Sequence, residues 1–158
     1  MSKKISYEYI RGLVESKGSF AFTSNNRKSA AGNIINVRIP TFSIGIHERD
    51  QDLLCSIRDT MGLENKVYNY KSSNKDGYNR GGRVLLIVRE IGNLKNVIVP
   101  FFYNKLAGYR RTQFDKWLED IGKDPRVPES YKIIYRLHKN NFYKNNQKFV
   151  DDVCQQTS

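Results

Sequence analysis

Lysine and arginine outnumber aspartate and glutamate by 27 to 16 in this chain, a formal charge of +11. Few other groups offer chemistry. The two histidines, His47 and His138, and the two cysteines, Cys55 and Cys154, lack metal-ligand spacing, and unpaired cysteines of this kind suit a reducing compartment. His47 stands just ahead of a helical pattern, where a histidine caps or packs. Cations on this scale neutralise a polyanion, with nucleic acid first and a membrane surface second. Arg27 and Lys28 in one polar stretch, and Lys71, Lys75 and Arg80 in another, are candidate phosphate contacts. No window shows a basic interfacial helix or the roughly 20 apolar residues that span a bilayer, so no membrane partner is expected.

The positioning elements follow from periodicity. With 158 residues, 39% hydrophobic and 12% aromatic, the chain can bury a single core without disulfide or metal. Ser6 to Gly18 reads as a helix, with Ser6 as N-cap and Tyr9, Ile10, Leu13 and Val14 at helical spacing. Ser19 to Ser24 alternates as a strand with Phe20 and Phe22 inward, and residues 25–33 form a polar loop. A second strand, Ile34 to Ile46, carries Ile35, Val37 and Ile39 on its buried face as far as Pro40. Beyond it Phe42 and Ile44 take over, which predicts a bulge. Asp50 to Met61 is helical, stopped by Gly62. Residues 66–71 and 83–89 pair as two further strands, Asn93 to Tyr103 is short helix plus turn, and helices follow near 107–121 and 130–138.

This order, αββαββα, predicts an α+β domain in which one four-stranded antiparallel sheet is covered by helices on one face. The other face is left open. It is expected to present Thr23, Asn25, Arg27, Asn36, Arg38, Thr41, Ser43, Lys66, Tyr68, Tyr70, Arg83 and Arg89, whose amides, hydroxyls and cations suit base edges and phosphates in a major groove. Residues 1–122 form the core and 123–158 a C-terminal helical extension and polar tail of the same domain.

The run Ile10-Arg11-Gly12-Leu13-Val14-Glu15-Ser16-Lys17-Gly18-Ser19-Phe20 resembles the LAGLIDADG homing endonuclease signature. The likeness continues through Phe42-Ser43-Ile44-Gly45-Ile46-His47, Arg49-Asp50, Leu53-Leu54, Val99-Pro100-Phe101-Phe102 and Leu106-Ala107-Gly108, up to Arg110 and Phe114. It implies a saddle-shaped sheet along duplex DNA and a Mg²⁺-dependent double-strand break during intron homing. A single signature copy implies a homodimer reading a long pseudo-palindromic site. Tyr9, Gly12, Leu13 and Ser16 would form the dimer face, because Gly12 lets two helices approach backbone to backbone. Two acids at the paired helix ends would then hold the metal together with the Gly18 backbone. Lys105, Arg110 and Arg111 lie where the family places a basic residue against the scissile phosphate, and the spacing to Phe114 favours Arg110 over Lys105.

The chain departs from the family at the acid itself, for the residue before Gly18 is Lys17. An ammonium cannot ligate Mg²⁺, and Glu15 lies about 200° around the helix. Lost or impaired cleavage is therefore expected. A non-cleaving alternative is a maturase-like binder of group I intron RNA or a DNA-binding repressor. The Ile, Asn, Lys and Tyr content suits an AT-rich genome, so an organelle (mitochondrion or chloroplast) or a bacterial cytoplasm is the expected location.

Overall fold

A computed structural model of the chain describes residues 4–71 and 81–150. Helix α1 (Tyr7–Lys17) starts where Ser6 Oγ accepts the N–H of Tyr9 at 3.1 Å, which satisfies one of the donors that a first turn leaves without an intrahelical partner. It turns Ile10, Arg11 and Val14 inward and runs straight into β1 (Gly18–Lys28). β2 (Ile34–His47) returns antiparallel beside β1. His47 Nδ1 then accepts from Arg49 N at 3.1 Å, capping a 3₁₀ turn that feeds α2 (Gln51–Met61). Gly62 ends α2 at φ 79°, a left-handed conformation that costs glycine nothing. β3 (Val67–Tyr70) and β4 (Arg83–Val88) complete one antiparallel sheet of order β1-β2-β4-β3.

The chain next runs helically through α3 (Ile91–Asn93), a π-wound turn at Leu94–Ile98 and α4 (Val99–Phe102), longer than the short helix and turn expected from sequence. The wide turn precedes Pro100, which has no N–H to add to an α ladder. α5 (Tyr109–Lys123), α6 (Lys132–Lys139) and α7 (Phe142–Asn145) complete the helical layer. Phe20 sits among aromatic rings, with centroids 5.2 Å from Phe42, 5.6 Å from Phe102, 4.8 Å from Phe114 and 5.3 Å from Trp117. Trp117 Nε1 donates to Ala21 O at 2.8 Å, which ties α5 to β1. Each such side chain contributes about 1.5–3 kcal/mol by leaving water. On the far side of α1, Arg11 is only 7% exposed; its Nε donates to Phe101 O at 2.9 Å and its Nη2 to Phe149 O at 2.6 Å.

Three expectations about the strands are corrected. β1 continues to Lys28, because residues 25–28 pair across to 34–37 and the loop shrinks to a turn closed by Ser29 and Asn33. There is no bulge at Pro40. The register runs unbroken from Gly18 opposite Ile44, through Phe22 opposite Pro40, to Lys28 opposite Ile34. Unbroken alternation therefore puts Arg38 and Asn36 on the same face as Phe42, and Ile35, Val37 and Ile39 on the other. Arg38 and Asn36 thus do not belong to the open face. The Arg38 guanidinium lies 4.3 Å from the centre of the Phe22 ring and pairs with Asp124, while Asn36 Nδ2 donates to Asn26 Oδ1 at 3.2 Å. Pro40 misled because it resembles a strand breaker. Here β1 flanks it on one side, and beyond Val88, opposite Phe42, the other edge of β2 is taken up by Arg38 N donating to Arg126 O at 3.0 Å.

Candidate nucleic-acid interface

The remaining predicted contacts on the strands, other than Lys28, share the face away from the helices. β1 supplies Thr23, Asn25 and Arg27, β2 supplies Thr41 and Ser43, and β4 supplies Arg83 opposite Tyr70 of β3. Tyr68 also lies on this face, with Lys66 just before β3 and Arg89 just after β4. Tyr68 and Tyr70 are 42% and 52% exposed, with ring centroids 6.4 Å apart, and Lys66 Nζ stands 5.6 Å from the Tyr68 ring. Thr23 and Thr41 share a hydroxyl hydrogen bond of 2.8 Å. Lys28 is exposed at the far end of the β1–β2 ribbon and Lys71 just past β3. Lys75 and Arg80 lie outside the described residues.

Where α1 meets the sheet, an open cleft of about 580 Å³ gathers Lys17, Ser16, Ser19, Ser43, His47, Arg83 and Arg110. Arg110 is aligned by Gln113 Oε1, which accepts from Arg110 Nη1 at 2.9 Å and from Phe20 N at 3.0 Å. Gln113 was missed from sequence, although its i,i+3 spacing from Arg110 on α5 is a usable signal. Lys105 is exposed in the turn after α4 and does not line the cleft; Arg111 pairs with Asp115 at 3.8 Å, one turn further on. Glu15 is turned elsewhere, with Oε2 accepting from Ala107 N at 2.6 Å and Oε1 from Gly108 N at 3.2 Å, so it caps the approach to α5. Gly45 keeps the floor low. A Cβ there would stand 2.5 Å from Arg83 Nη2 and 2.6 Å from Leu85 Cδ2.

On the outer side of α1, Tyr9 is 51% exposed, Gly12 and Ser16 are exposed, Leu13 is half-buried, and a Cβ on Gly12 would meet nothing within 4 Å. Opposite the open face, charges tie helices together. Asp124 is held below its ordinary pKa of 3.8 by the Arg126 backbone N–H first, against desolvation, and then by Arg38. Glu119 is held below its own chiefly by Lys139, whose Nζ lies 2.7 Å away.

An antiparallel sheet open on one side, with a glycine-bearing helix ending at its rim, offers an extended surface rather than an enclosed small-molecule pocket. The sequence profile of the LAGLIDADG endonuclease family matches residues 10–121, and the chain belongs to that family. No curated protein matches it in sequence. Among solved structures it is similar to the LAGLIDADG homing endonuclease I-LtrWI bound to target DNA, with a TM-score of 0.60 and 20% identity over 96% of this chain and 47% of that one. It is also similar to the group I intron-encoded homing endonuclease I-CeuI complexed with DNA (TM-score 0.55, 14% identity, 92% of this chain, 60% of that one). For the homing endonuclease I-TnaI the figures are 0.51, 19%, 87% and 99%. The chain thus spans about half the length of I-LtrWI.

The residues present do not fit the family's divalent metal. Among the described residues no three His, Cys, Asp or Glu side chains come together, and the α1 carboxylate nearest the cleft, Glu15, is committed to backbone N–H groups. Hard divalent cations take oxygen ligands, whereas position 17 offers an ammonium.

Proposed function

We propose that this chain is a sequence-specific binder of duplex DNA, built on a homing endonuclease frame and impaired in cleavage. The observation that carries the reading is the open sheet face, where Asn25 and Arg27 of β1, Tyr68 and Tyr70 of β3 and Arg83 of β4 stand exposed. A two-stranded ribbon of this kind enters a major groove, where such groups discriminate base pairs. Two copies pair through α1, with Gly12 removing the side chain that would hold the helices apart, so that two sheets lie end to end along the duplex. Lys17 replaces the acid that would help to hold Mg²⁺ and activate water.

Selection of bound duplexes from a randomised pool tests this. A pseudo-palindrome of about two helical turns, contacted as two half-sites, is the expected product. Failure to enrich any sequence with folded protein overturns the reading. A second reading, binding of group I intron RNA, is favoured by the two exposed tyrosines, whose faces can stack on unpaired bases. Competition between intron RNA and the duplex at matched salt separates the two.

A further inference from the structure

We infer that the outer half of the β1–β2 ribbon selects thymine by its methyl group, with Ile35 and Val37 as the residues that read it. The inference rests on the DNA-binding reading and names a feature of the duplex which that reading leaves open.

The unbroken register of β2 brings both residues onto the open face, away from the helices. Along that face the exposure rises outward, from Ile39 at 4% through half-buried Val37 to Ile35 at 46%. A single exposed apolar side chain means little. Here each stands directly opposite an exposed polar group of β1, Val37 opposite Asn25 and Ile35 opposite Arg27. Opposed side chains in an antiparallel pair start about 5 Å apart, so the ribbon carries a hydrogen-bonding row and an apolar row side by side. The major-groove edge of an A·T pair is divided in the same way. Adenine offers N7 and the N6 amino group, which suit an asparagine amide, and thymine offers a C5 methyl, which apolar side chains contact. Cytosine carries only hydrogen at that position. RNA lacks the methyl as well, since it has uracil in place of thymine, so the apolar row favours DNA over the intron RNA of the second reading.

The test is selection from two randomised duplex pools, one synthesised with thymidine and one with deoxyuridine in its place. The two bases pair alike and differ by the methyl alone. The thymidine pool is expected to enrich A·T pairs at fixed positions of each half-site. The same duplex with deoxyuridine at one of those positions should bind about fourfold more weakly, the value of one buried methyl. Ile35→Thr and Val37→Thr, both still β-branched for the strand, should each remove the preference for the methyl at one such position. Ile34→Thr should keep the fourfold preference, because Ile34 is 71% exposed on the opposite face of the same ribbon. Equal binding of the thymidine and deoxyuridine duplexes by the parent chain overturns the inference and leaves sequence-specific DNA binding standing. A preference that survives both threonine substitutions, or is lost as fully in Ile34→Thr as in Ile35→Thr, overturns it too. Enrichment of no sequence from either pool overturns the DNA-binding reading and the inference with it.

Discussion

The two faces of the sheet are made by alternate residues of the same four strands, yet they are finished differently. Toward the helices, Phe20, Phe42, Ile44, Val84, Leu86 and Val88 are closed off almost completely. Even the charged Arg38 is absorbed there, by a ring on one side and a carboxylate on the other. On the opposite face Ile35 is left 46% exposed beside asparagine, threonine, tyrosine and arginine. Most of the buried apolar surface lies on one face, although Ile39 and Thr41 are buried on the other, which carries the groups able to recognise a partner. Substitutions should therefore separate cleanly into those that move stability and those that move affinity.

The strongest challenge to that division lies at the rim where both faces end. Lys17→Glu is expected to raise Mg²⁺-dependent cutting of the selected duplex by orders of magnitude, measured as product formation on a gel; no gain would show that another residue limits cleavage. Next, Phe20→Ala should cost about 3–5 kcal/mol in urea unfolding, because the rings around it cannot collapse onto the gap. Arg38→Ala should cost about 1–3 kcal/mol by removing one of the charged partners of Asp124 and the contact with the Phe22 ring, yet leave the salt dependence of DNA binding unchanged. A drop in that slope would return Arg38 to the recognition face. Tyr70→Ala should stay within about 0.5 kcal/mol of the parent in stability and weaken duplex binding, which a filter or anisotropy assay resolves. The smallest effect concerns acid. The folded-state pKa values of Asp124 and Glu119 are depressed, so their stabilisation is complete above the ordinary values of 3.8 and 4.5 and is lost as pH falls through the depressed ones. Asp124→Asn should flatten the acid limb of a Tm-against-pH profile.

Much of this organisation was legible in the sequence, and the exceptions have physical causes. α1 announced itself through Ser6, its apolar spacing and Gly18, and α2 through its stripe and Gly62, since caps and periodicity are local. The long reach of β1 and the straight course of β2 past Pro40 were hidden. Both depend on which backbone lies alongside, and the partner of Arg38 N is Arg126, far along the chain. That one error of register exchanged the faces of Asn36 and Arg38 with those of Ile35 and Val37. In the cleft, Lys17 and Arg110 were found at motif positions and Arg83 by strand alternation on the open face. Their convergence, the aligning Gln113 and the diversion of Glu15 to the approach of α5 are products of packing, for which no local pattern exists.

The hold of Arg11 on Phe149 has a consequence for how the chain is made. The first helix leaves the ribosome early, but one of the bonds that seats it comes from a carbonyl 138 residues later. Between those moments the face bearing Tyr9, Gly12 and Leu13 belongs to a helix not yet latched from behind.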